Sequence, residues 1–231
     1  MAPWKRYLRR ISILRKANNQ LAYYRGLFRG SFSQHGEDTY VLRHLGPTGT
    51  YVDVGANDPH RLSNTYALYR SGWRGVTVDP IRSLVSRHKQ LRPQDIQVLA
   101  GVGARGGGVS KFHELDPHVL STFDQGTAEA YIAAGIARRL CTYDVPILTL
   151  SSIIDGANIK QVDLLTVDVE GYEYQVLAGL DFSRHRPRIM IIEALSPVGY
   201  SAEADSVRAL LKSNDYHLVD TLGANAVYAP Y

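Results

Sequence analysis

Four apolar, β-favouring runs in this chain each lead into a carboxylate: Thr50 to Val54 contains Asp53, Val76 to Val78 ends at Asp79, Val162 to Val167 at Asp168, and Ile189 to Ile192 at Glu193. Interior strands normally end in neutral turn residues, so burial explains none of the four, whereas a shared ligand edge explains all of them. A carboxylate at such an edge accepts hydrogen bonds from ammonium or hydroxyl groups. The first run stops at Gly55, Ala56 and Asn57, a small-residue turn that lets a ligand approach the backbone and leaves N–H groups free for it. Asp79 follows that run by about 25 residues, near the roughly 20-residue spacing at which an acidic side chain meets ribose hydroxyls. The turn has one glycine where the dinucleotide fingerprint GxGxxG has three, which disfavours a nicotinamide cofactor.

Other polar residues gather around these ends. Gln34, His35, Glu37 and Asp38 crowd just before the first strand, where they either start a solvated helix or close over a ligand. His60 lies just past the turn, so His35 and His60 are the histidines placed to act as a base at the mouth of the site. Glu170 stands two residues beyond Asp168, in the run DVEG. Tyr66, Tyr69, Trp73 and Tyr143 offer flat faces for sugar rings but read first as packing residues.

Alternating helices and strands must hold these groups. Helical spacing appears over Tyr40 to Leu45 with a cap near Ser33, and again near Asn64 to Ser71, Leu84 to Leu91, Ser152 to Asp155, Tyr172 to Leu180 and Glu203 to Lys212. Further strands are expected at Ile96 to Ala100, Val109 to His113, Asp144 to Leu150, His217 to Val219 and Ala226 to Tyr228, with Pro146 marking an edge. The stretch 114–143 shows no strand pattern and reads as a lid insertion over the site. The alternation predicts an α/β fold, a mostly parallel sheet covered on both faces.

With 231 residues, 45% of them hydrophobic, the chain suits one large domain, taken as 33–231. The single Cys141 excludes a disulfide framework and any CxxC site, and a reducing cytoplasm is the expected compartment. Residues 1–32 form a basic arm: the first 30 hold eight Lys and Arg side chains and no acidic ones, leaving 18 basic against 22 acidic in the rest. Its apolar run, Ile11 to Leu14, is too short for a signal peptide or a membrane span. Two readings stay open, a helix packed on the domain with its cations in water, or a contact with a membrane surface or a second copy. Nucleic acid is not expected, because charges beyond the arm are mixed.

Taken together and in order, YVDVGAN, TVDP, DLLTVDVEGYEYQVLAGL and RIMIIEAL resemble the FkbM family of S-adenosylmethionine-dependent O-methyltransferases, over roughly Ser33 to Leu195. The chain departs at Ser151 and Asp79, where aspartate and glutamate are common. The resemblance implies a Rossmann-like class I methyltransferase with a seven-stranded sheet whose last strand is antiparallel. It implies S-adenosylmethionine contacts at Gly55 and Asn57 for the methionine part, Asp79 for the ribose and Val102 for the adenine, with Gln34, Asp53, Asn64 and Asp168 as further candidates. It also implies a hydroxyl acceptor, here a carbohydrate such as a mannoside. A polyketide, glycolipid or other small-molecule hydroxyl is the alternative acceptor, and a noncatalytic cofactor-binding module is the alternative from another class.

Methyl transfer from a sulfonium is an in-line displacement, so the protein must align an oxygen and remove its proton. A sugar hydroxyl is a poor acid and needs a base, a metal or both. Adjacent parallel strands lie about 4.8 Å apart, so Asp168 and Glu193 can converge on one cation, with Glu170 as a third ligand or orienting group. Oxygen-only ligation suits Mg²⁺. Catalytic roles are therefore expected of His35, His60, Glu170 and Glu193.

Overall fold

A computed structural model of the protein describes residues 30–196, 199–200 and 204–231. The basic arm lies outside the described residues except at its end, where Ser31 and Phe32 are buried. In chain order the first half contains α1 (Glu37–Leu45), β1 (Thr50–Val54), α2 (Tyr66–Ser71), β2 (Arg74–Asp79), α3 (Arg82–Leu91), β3 (Ile96–Leu99), β4 (Gly101–Val102) and β5 (Gly108–Asp116). It continues with α4 (Gln125–Ala133), β6 (Arg138–Leu148), α5 (Leu150–Gly156), β7 (Leu164–Val167), α6 (Glu173–Leu177), β8 (Ile189–Glu193), β9 (Leu195–Ser196), β10 (Gly199–Tyr200), α7 (Ala204–Ser213), β11 (Tyr216–Leu222) and β12 (Asn225–Pro230).

Seven strands make one sheet in the order β11-β12-β8-β7-β1-β2-β3. The strands from β3 to β8 are parallel neighbours, while β12 runs antiparallel to both β8 and β11. This is the expected sheet, including the reversed last strand. All four β7 residues, Leu164, Leu165, Thr166 and Val167, are buried, as a central parallel strand covered on both faces requires. On one face Val52, Val76, Leu165 and Ile192 pack with Ile154 of α5, Leu177 of α6 and Val207 of α7. On the other, Tyr51, Leu164 and Ile191 pack with Val41 of α1, Leu68 of α2 and Trp73. Each such side chain contributes about 1.5–3 kcal/mol on burial.

The expectation for 114–143 needs correction. β5 and β6 form a long antiparallel ribbon that carries strand through Glu114 to Asp116 and from Arg138 to Tyr143. The ribbon was illegible because most of β6 from Arg138 to Cys141 is exposed and lacks apolar alternation. Pro146 does not mark a free edge throughout: β6 is the middle strand of a three-stranded sheet, and its parallel pairing with β4 begins at Ile147, after the proline. Ser151 has a structural partner, since its hydroxyl accepts the Asp181 N–H at 2.8 Å.

Candidate active site

The turn after β1 is built by hydrogen bonds that reach across strands. Gly55 and Ala56 both donate to the Val78 carbonyl, at 3.0 and 3.1 Å, so the free N–H groups expected of this turn are already occupied. What approaches the Gly55 Cα is the Asp168 carbonyl oxygen; with φ at 77°, a side chain there would be strained and would overlap that oxygen. Asn57, also at positive φ, donates its N–H to Asp79 Oδ2 at 3.0 Å, and Ile81 donates to Asp79 Oδ1 at 2.7 Å. His88 Nε2 lies 2.9 Å from the Asn57 carbonyl, and burial lowers its pKa to about 4, so at neutral pH the ring is the neutral donor. Burial raises Asp79 to about 7 against those two backbone bonds. Asp53 takes a hydrogen bond from the Thr65 hydroxyl and is raised by burial to about 6, although Arg92 opposes the shift.

Farther along the edge, Asp168, Glu170 and Glu193 come together. Among the described residues, their ligand oxygens form a group in which all lie within 4.8 Å of one another. Asp168 and Glu193 are hydrogen-bonded to each other, which requires a shared proton. Burial raises Asp168 to about 6; burial, then the charges of Asp168, Glu170 and Glu173, raise Glu193 well above the ordinary carboxylate range. Glu173 accepts the Val169 and Gly171 N–H groups at 3.2 and 3.1 Å and so shapes the turn that presents Glu170. Glu170 itself sits at φ 54°, accepts the Tyr131 hydroxyl at 2.5 Å, and has its carbonyl bonded by the Thr122 hydroxyl at 3.0 Å.

The remaining candidates occupy four separate places. His35 is exposed beside Gly223, in the β11–β12 turn at the same carboxyl edge, and Gln34 is half-buried next to it. His60 is edge-on to Phe32 and Tyr66, with ring centroids 5.2 and 4.9 Å away. Asn64 donates to the Thr166 hydroxyl at 3.2 Å, beside Asp53 in the sheet register. Val102 is 3% exposed and its side chain packs into the main core at the end of β4.

Several organising residues escaped the sequence. Glu37 is fully buried and accepts from Asn225 Nδ2 at 2.6 Å, tying the entry segment to β12 across 188 positions. Asp38 gathers the Ser31 and Ser33 hydroxyls and the Phe32 and Thr39 N–H groups. Arg92, fully buried, donates to Asp95, the Tyr51 hydroxyl and Thr65. Only the carboxylate-rich run before β1 hinted at the first two.

A sheet in this strand order, with its final strand reversed and its acidic residues along the carboxyl edge, defines a Rossmann-like class I methyltransferase. The family model for the methyltransferase FkbM domain matches residues 53–218, and the chain belongs to that family. Solved structures similar to it are distant. They include a magnesium protoporphyrin IX methyltransferase from Synechocystis with bound S-adenosylmethionine, at 12% identity over 84% of this chain and 76% of that one, TM-score 0.47. A TehB-like S-adenosylmethionine-dependent methyltransferase from Corynebacterium glutamicum shares 13% identity over 92% and 97% of the two chains, TM-score 0.45. No curated protein matches the chain significantly.

Proposed function

We propose that this protein transfers the methyl group of S-adenosylmethionine to a hydroxyl of a carbohydrate acceptor, a mannoside or short methylated manno-oligosaccharide. The observation that carries the reading is the row of carboxylates along one sheet edge, Asp79, Asp53, Asp168 and Glu193, in strand order β2, β1, β7, β8. Three strand spacings at about 4.8 Å each make about 14 Å, the reach of an extended nucleoside joined to an amino acid. A cavity of about 400 Å³ opens at the β2–β3 end, lined by Pro80, Ile81, Leu99 and Tyr143, and suits the adenosine. Another, of about 180 Å³, opens beside Glu193 between Val207, Thr221, Asn225 and Tyr228, and suits one sugar ring. The sulfonium then lies between them, near buried carboxylates whose ionised form a positive charge would stabilise.

The chemistry follows from that placement. The acceptor oxygen attacks the methyl carbon in line with its bond to sulfur, the bond electrons stay on sulfur, and the hydroxyl proton must leave. The Asp168–Glu193 pair, which holds one proton between two carboxyl groups, is the group suited to take the second. The three-carboxylate oxygen set of Asp168, Glu170 and Glu193 also fits Mg²⁺. Such an ion would supply a Lewis acid for the hydroxyl. His35 is exposed on the same edge and can relay the proton to water.

The test is transfer of label from S-adenosylmethionine to mono- and oligosaccharides, with magnesium and with chelator. Label in a mannoside only with magnesium assigns the carboxylates to the cation. Label under both conditions moves the burden to a carboxylate or histidine base. Cofactor binding with no labelled sugar would remove the carbohydrate reading.

A further inference from the structure

We propose that the inserted β5–β6 subdomain positions Glu170 for catalysis through the hydroxyl of Tyr131; the inference rests on the reading of Glu170 as part of the acceptor-end carboxylate group. Glu170 occupies the left-handed region without being glycine, with φ 54°. That conformation is strained for a residue with a side chain and persists only where surrounding bonds hold it. Those bonds come from two bodies. From the main domain, Glu173 holds the Val169 and Gly171 N–H groups on either side of Glu170. From the insertion, the Thr122 hydroxyl donates to the Glu170 carbonyl at 3.0 Å, while its oxygen accepts the Asp124 N–H at 3.0 Å. Asp124 in turn caps α4 by accepting the Thr127 N–H.

Along that helix, Tyr131 reaches the Glu170 carboxylate at 2.5 Å. The Tyr131 ring is fully buried among Leu115, Leu120 and Ala128, a small core that belongs to the insertion alone. A phenol fixed by such a core is a rigid donor, and a buried tyrosine hydroxyl needs a partner. The insertion therefore fixes which way the Glu170 carboxylate faces. Tyr131 does not touch the reacting groups and acts through Glu170; it is a positioning residue.

A double-mutant cycle tests this. Tyr131→Phe keeps the packed ring and removes only the hydroxyl. We expect kcat to fall about tenfold, with the KM for S-adenosylmethionine within twofold of wild type and the same melting temperature within a few degrees. In a Glu170→Gln background the same change should cost nothing further. Mn²⁺ titrated as a probe and read by electron paramagnetic resonance should bind Tyr131→Phe severalfold more weakly. An equal loss of kcat in both backgrounds, or wild-type kcat and Mn²⁺ affinity in Tyr131→Phe, would overturn the proposal while leaving Glu170 in place. Wild-type kcat in Glu170→Gln would instead remove Glu170 from the acceptor end, and the proposal with it. If Tyr131→Phe does not fold, the pair Thr122→Ser and Thr122→Val decides: kcat kept by the serine and lost in the valine supports it, and equal kcat overturns it.

Discussion

Asp79 shows how a single side chain can shape a site from the neighbouring strand. Its two oxygens hold the Asn57 and Ile81 N–H groups, so removing the carboxylate releases the turn that frames the cofactor as well as the proposed ribose contact. Asp79→Ala should raise the dissociation constant of S-adenosylmethionine at least tenfold by calorimetry, about 1.4 kcal/mol, with a smaller change in kcat at saturation. The same residues set a pH dependence. Asp53 and Asp168 are raised to about 6, Asp79 and Glu173 to about 7. Folded protein thus holds these protons more tightly than unfolded chain does, so their stabilisation is complete below about pH 4 and is lost as pH rises through 6 to 7. His88, lowered by burial to about 4, works the other way below about pH 6.5, where the unfolded chain takes up a proton that the folded ring refuses, but it is one group against four. The unliganded protein should melt at lower temperature at pH 8 than at pH 5, and S-adenosylmethionine should raise the melting temperature more at pH 8. An equal or smaller ligand shift at pH 8 would refute the view that these carboxylates await positive charge.

At the scale of elements, turns rather than strands carry the precision. Glu173 begins α6 yet faces back to the loop before it, accepting two N–H groups while 2% exposed. Glu173→Ala leaves both donors without that acceptor and should cost about 1–3 kcal/mol in denaturant unfolding. It should also lower kcat, since Glu170 lies between them; unchanged kcat would show that the turn holds its shape without Glu173. The strands were readable in the sequence because β7 and β8 are largely apolar, β-favouring runs, and the charge that closes each run is conspicuous. The turns were only half readable. Gly55 was visible as a close-approach residue, but the group that approaches is a carbonyl of the chain itself, brought by pairing between strands more than a hundred residues apart.

For the whole molecule, the least legible feature is the polar knot toward the amino ends of β1 to β3. Tyr51, Ser63, Thr65, Arg92 and Asp95 meet only when the sheet has formed, and Gly75 adds its N–H to Asp95 at 3.1 Å. Nothing in their spacing pairs them. Arg92 and Asp95 are both fully buried as side chains and 2.8 Å apart, so Arg92→Met should destabilise the fold by about 3–5 kcal/mol by stranding a buried carboxylate. A loss under about 1 kcal/mol would mean that water replaces the guanidinium. The reversal of β12 has another consequence. Because β11 ends and β12 begins at the ligand edge, the hairpin tip at Gly223 and Ala224 reaches the smaller cavity and the His35 ring. A tip closed by its own ladder tolerates lengthening without disturbing the strands behind it. Evolution could thus exchange one acceptor for another at the proposed acceptor end of the sheet, while the half proposed to hold the methyl donor stays untouched.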